Sequence, residues 1–157
     1  MTTTFETIRN NQCSVIEALT PTKLAGQKFR RHLEGDFMTW VEASPAACLR
    51  RFQIERNFDD EQLPTADGAI EGCRHTMELR IAYPLNHALY GRENVRDLND
   101  FMDADRRQID AAIGLNGAAN YVANEDVCQF TAMTVLEAGE GAKVLSITFS
   151  LLYDRSV

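Results

Sequence analysis

A chain of 157 residues, 45% hydrophobic and 25% charged, is sized for one domain with its own core, spanning 1–157. No run of about 18 apolar residues is present, which excludes a helical membrane span. The start, Met-Thr-Thr-Thr-Phe-Glu, has neither the basic end nor the apolar core of a signal peptide. A net charge of -7 argues against a simple nucleic-acid binder, because phosphate contacts need clustered Lys and Arg.

Thr3 and Glu6 have capping-box spacing. Phe5, Ile8, Val15, Ile16 and Leu19 then recur at helical spacing, with Gln12 filling a gap on the stripe. The spacing predicts a helix over Thr4 to Leu19, ended by Thr20-Pro21 because the residue before proline avoids helical geometry. Pro21 to Asp36 holds the chain's basic cluster, Lys23, Lys28, Arg30, Arg31 and His32, with Gly26 and Gly35 as turn markers. This stretch reads either as a solvated connection or as a contact surface. Phe37 to Glu42, with Trp40 and Val41, is expected as a first strand broken by Pro45.

Ala47 to Asn57 reads as a strand, with Phe52 and Ile54 on one face and Arg51, Gln53 and Glu55 on the other. Phe58 to Glu71 carries five acidic residues, Asp59, Asp60, Glu61, Asp67 and Glu71, and no basic one. It is expected as a long loop, and loops of that length inside a domain are mobile or functional. Cys73 to Tyr83 alternates clearly: Cys73, His75, Met77, Leu79, Ile81 and Tyr83 on one face, Arg74, Thr76, Glu78 and Arg80 on the other. Pro84 stops it.

After Gly91, a second helix is expected from Glu93 to Ile113, with Val95, Leu98, Phe101 or Met102, Ile109 and Ile113 as its apolar stripe. Its remaining positions are charged, with four-apart pairs Asp103–Arg107 and Arg106–Asp110. Asp100, Asp103 and Asp105 read as a solvated face, because they lack the offsets of a calcium loop. Gly114 is a natural stop, and Leu115 to Asp126 a small-residue linker. The chain closes on a predicted hairpin, Val127 to Arg155. Leu145, Ile147, Phe149, Leu151 and Tyr153 alternate with Ser146, Thr148 and Ser150, and Ala138-Gly-Glu-Gly-Ala142 joins the two strands.

The element order gives an α+β fold: one mostly antiparallel sheet, two main helices packed on one face, and a C-terminal β-hairpin. Four dispersed cysteines, Cys13, Cys48, Cys73 and Cys128, form no Cys-x-x-Cys and read as buried thiols in a reducing compartment. No phosphate loop, nucleophile elbow or zinc-protease motif is present, so the residues suggest no enzyme, cofactor or metal.

This layout resembles the tail-terminator and tail-completion proteins of long-tailed bacteriophages. The matching pieces are Phe5 to Leu19, Leu49 to Asn57, Cys73 to Tyr83, Val95 to Ile113, and Val127 to Tyr153, whose last strand ends in an aromatic. Pro21 to Pro45 has no counterpart in that layout. The resemblance implies a non-enzymatic virion protein made in the host bacterial cytoplasm. Such a protein forms a homo-oligomeric ring, commonly a hexamer, that caps the tail tube and meets the head connector. Genomic DNA passes its lumen without sequence-specific contact, and an acidic surface would not retain phosphate. A head–tail connector or neck protein has a similar layout. A small cytosolic α+β ligand-binding domain or enzyme is the third reading, with His75 and Tyr83 as site candidates.

The charge asymmetry suggests an interface. Lys23, Lys28, Arg30 and Arg31 form a basic segment; Asp59, Asp60, Glu61, Asp67 and Glu71 form an acidic one. In a head-to-tail ring one patch meets a different patch on the next copy. The acidic stretch would otherwise line a lumen or remain disordered until a partner arrives.

Overall fold

The computed structural model describes residues 5–56, 61–64, 70–92, 95–113 and 127–154. Helices α1 (Phe5–Ala18), α2 (Phe37–Ala43) and α3 (Leu98–Ile113) accompany strands β1 (Arg30–Arg31), β2 (Arg51–Arg56), β3 (Glu61–Pro64), β4 (Ile70–Pro84), β5 (Val127–Ala138) and β6 (Ala142–Asp154). The sheet runs β1-β2-β4-β6-β5, with β3 also paired to β4. Among the described strands only β1 and β2 pair in parallel. The α+β, mostly antiparallel architecture with a C-terminal hairpin is therefore as the sequence predicts.

Alternation decides which side of the sheet is covered. Met77, Leu79, Ile81 and Tyr83 of β4 line up with Phe52 and Ile54 of β2 and with Leu145, Ile147 and Phe149 of β6. All are buried against Ile8 and Ile16 of α1 and Phe101, Ile109 and Ile113 of α3. Burying one such side chain is worth about 1.5–3 kcal/mol, so this face supplies most of the driving force. Gln12 is fully buried on the α1 stripe, as its spacing requires.

Four local expectations change. Phe37 to Glu42 is helix, not strand. Asp36 caps it, its Oδ2 accepting from Thr39 N at 2.9 Å and Thr39 Oγ1 at 2.6 Å. Phe37 and Val41, four residues apart, are buried against Cys48, Ala82, Ala138, Ala142 and Val144 on the opposite face of the sheet. That burial exceeds the strand preference of Trp40 and Val41, which spans about 1 kcal/mol at most.

The expected strand from Ala47 begins only at Arg51. Pro45–Ala47 is a single 3-10 turn, and Arg50 has φ 58°, outside extended geometry. The second helix begins at Leu98 rather than Glu93. Asp97 is its cap: its Oδ1 accepts from Asn99 N at 2.9 Å and its carbonyl from Phe101 N at 3.1 Å.

The acidic stretch is not all loop. Glu61 opens β3 opposite Arg74, and β4 already runs from Ile70 through Glu71. Ladder pairing to β4 overrides the local acidic composition, and Pro64 is tolerated as the last residue of β3. Thr3, Asn57, Asp59, Asp60, Asp67, Gly114 and the linker Leu115 to Asp126 lie outside the described residues. Among the described residues, no helix is long and apolar enough to cross a membrane.

Candidate functional site

The basic segment is held from beneath by a buried side chain. Arg50 is fully buried, and all five of its N–H groups are used. Nε and Nη2 donate to Asp105 Oδ2 and Oδ1 at 2.8 and 2.9 Å. Nη1 donates to the carbonyls of Leu24 and Gln27 at 2.9 and 2.8 Å, and Nη2 to that of Lys23 at 2.8 Å. The guanidinium lies 4.7 Å from the ring centre of Phe101 and 5.4 Å from that of Phe29. Tyr83 adds its hydroxyl to Asp105 Oδ2 at 2.7 Å.

This network fixes the course of residues 20–27. Leu24 sits at φ 51°, a conformation costing a branched residue about 1–2 kcal/mol. It persists because Arg50 grips three carbonyls around it, the arrangement that retains strained backbone. Gln108 of α3 adds a second clamp, accepting from Thr22 N and donating to Thr20 O, each at 3.0 Å.

Burial raises the Asp105 carboxyl above its ordinary range, while the Arg50 guanidinium and the Tyr83 hydroxyl draw it back. Burial, reinforced by the Asp105 charge, pushes the Tyr83 hydroxyl well up. With every donor committed inside the protein, the cluster is a structural clamp. Tyr83, a candidate for a ligand site, is fully buried in it and unavailable to a ligand. The His75 side chain lies outside what is described.

Held this way, Lys23, Lys28 and Arg30 are exposed. Arg31 is half-buried and donates to Asn10 Oδ1 of α1 at 3.0 Å. His32 turns inward, packed on Phe37 and Trp40. The segment lies beside the C-terminal end of β4: Arg50 N donates to Ala82 O, and Arg30 N to Arg50 O. Glu61 and Glu71 lie at the other end of β4, where Glu61 faces Arg74. Along β4 the two ends are separated by about 25–35 Å, at about 3.3 Å per residue. At about 30 Å two unit charges interact through water by only about 0.1 kcal/mol, before salt screening within about 8 Å removes the rest. Glu61 and Glu71 therefore do not neutralise the basic segment within one chain.

The opposite sheet edge is β5, twelve residues long. A bulge at Thr131 shifts its register, and Thr131 Oγ1 donates to Thr148 O at 2.9 Å. Beyond the bulge, Met133 and Val135 are 43% and 40% exposed. With Asn99, Met102 and Asp103 of α3 and Leu145 they line a groove of about 400 Å³.

Two residues of the clamp are not evident from the sequence. Asp105 belongs to the acidic series expected on a solvated face, yet it falls four residues from both Phe101 and Ile109 on the buried stripe. Arg50 continues the 52, 54 alternation inward. A charge of each sign on an apolar face was the available signal. Arg106 pairs with Asp103 at 3.1 Å rather than with Asp110, while Asp103–Arg107 forms at 2.9 Å as expected. Among the described residues no group of three or more His, Cys, Asp or Glu is arranged to hold a metal. Compared with known protein families and with curated proteins, the chain matches none.

Proposed function

We propose that this chain is a structural, non-enzymatic subunit that associates head-to-tail with copies of itself into a ring. In this reading it is a tail terminator of a long-tailed bacteriophage: a hexameric ring in the virion that caps the tail tube and joins it to the head connector. The observation that carries the proposal is the placement of the basic segment at one end of β4 and of Glu61 and Glu71 of the acidic segment at the other, about 25–35 Å apart along the strand. Opposite patches on opposite ends of a subunit are what a heterologous interface uses. The charges steer and register the contact. Met133 and Val135, on the open edge strand, offer apolar area for affinity.

Charge reversal tests the contact. Lys28 and Arg30 are the cleanest pair, since both are exposed and Arg31 is tied to α1. K28E/R30E is expected to abolish self-association at near-physiological salt, and the quadruple variant K28E/R30E/D59K/D60K to restore it. Association untouched by K28E/R30E overturns the pairing. Imaging the assembled protein with tail tubes then separates a terminator, which sits on tube ends, from a neck protein, which does not.

A further inference from the structure

A cavity of about 140 Å³ opens where β1, β2 and the turn after β4 meet. Lys28, Arg30, Arg51 and His87 line it, together with Gln27, and no acidic side chain does. Parallel pairing sets Arg30 directly beside Arg51, and like charges at paired positions are destabilising. Neither arginine, nor Lys28, makes an ion pair with a described residue. The repulsion is therefore not relieved inside the described chain, in a protein whose net charge is -7.

Two of the donors are also held in place. The Arg51 guanidinium stacks 5.0 Å from the ring centre of Trp40. The Nδ1 of His87 accepts from Leu89 N at 3.1 Å, so the neutral ring carries its hydrogen on Nε2. His87 is then a donor without needing to be charged. The volume lies below the roughly 300–1,000 Å³ of sites for drug-sized ligands and suits a compact ion.

We propose that this cavity binds a small oxyanion of the phosphate class, gripped by Lys28, Arg30 and Arg51 with His87 as a further donor. Lys28 and Arg30 are also the cations given to the ring contact, so a neighbouring copy would compete with phosphate, and the site is measured at protein concentrations too low for self-association. Trp40, the only tryptophan in the chain, is a built-in reporter because it carries Arg51. The intact protein would be titrated with sodium phosphate, and separately with sodium chloride at matched ionic strength, near neutral pH. Trp40 emission and melting temperature would both be followed.

Phosphate is expected to give a saturable emission change and a matching rise in melting temperature, with chloride giving neither. Lys28→Gln with Arg30→Gln, both exposed positions, is expected to weaken phosphate binding at least roughly tenfold, since each charge-assisted hydrogen bond carries that much or more. Circular dichroism would check that this variant keeps its fold. A response shared by chloride, a failure to saturate, or unchanged affinity in the double variant overturns the site. So does saturation by a synthetic peptide of residues 58–71 where phosphate has no effect, which would make the cavity a socket for an acidic segment.

Discussion

At Arg50 one residue joins α3 and the basic segment through its side chain and β4 through its backbone N–H, and removing its counter-charge is the most informative substitution in the molecule. Asp105→Ala leaves a buried guanidinium without its carboxylate and is expected to lower stability by about 3–5 kcal/mol. Tyr83→Phe removes one hydrogen bond and leaves the ion pair, so a loss of about 1–2 kcal/mol is expected. Urea unfolding followed by circular dichroism measures both, and equal losses would contradict the clamp. The buried thiols give a pH test. Burial raises Cys13 and Cys48 from 9.0 to about 11. A thiol held neutral in the fold but freer to ionise when unfolded favours folding fully below pH 9. That contribution is lost as pH rises from 9 towards 11. In a C73S/C128S background neither remaining thiol should react with a thiol reagent at pH 8 until denaturant is added. Fast native-state labelling would refute their burial.

Among the elements, the hairpin loop gives the sharpest contrast between its two glycines. Gly139 takes φ 62°, the positive-φ role expected of this loop. Gly141 has a different reason: a Cβ there would come within 2.9 Å of Pro45 Cβ, in the turn after α2. Gly141→Ala is therefore expected to lower the melting temperature, through about 1–3 kcal/mol of overpacking. An unchanged melting temperature would show that the turn yields freely. The same contrast shows which features were legible in the sequence. The strands Cys73 to Tyr83 and Val144 to Tyr153 were readable because alternation is a property of the strand itself. Helix α2 was not, because Phe37 and Val41 look like strand residues until the second sheet face is there to bury them. Glu61 likewise joins a strand through backbone pairing with β4, which its acidic surroundings do not announce. Of the candidate interface, the residues of the basic segment were legible from charge alone. The clamp beneath it was hidden, since Arg50 and Asp105 are 55 residues apart.

For the whole molecule, the sheet acts as a ruler. Strand β4 is fifteen residues long, and it sets Glu61 and Glu71 about 25–35 Å from the basic segment, several screening lengths away. Charges so placed interact little within a lone chain; in the proposed ring they act where chains meet. Their influence should fall with added salt, while apolar contact through Met133 and Val135 should not. The most direct measurement is the mass of the purified protein by light scattering, over a wide range of concentration and at low, physiological and high salt. Head-to-tail association predicts a concentration-dependent rise to a closed species, a hexamer in the tail-ring reading, that weakens as salt increases. A monomer at every concentration and salt, or an oligomer indifferent to salt, would contradict it.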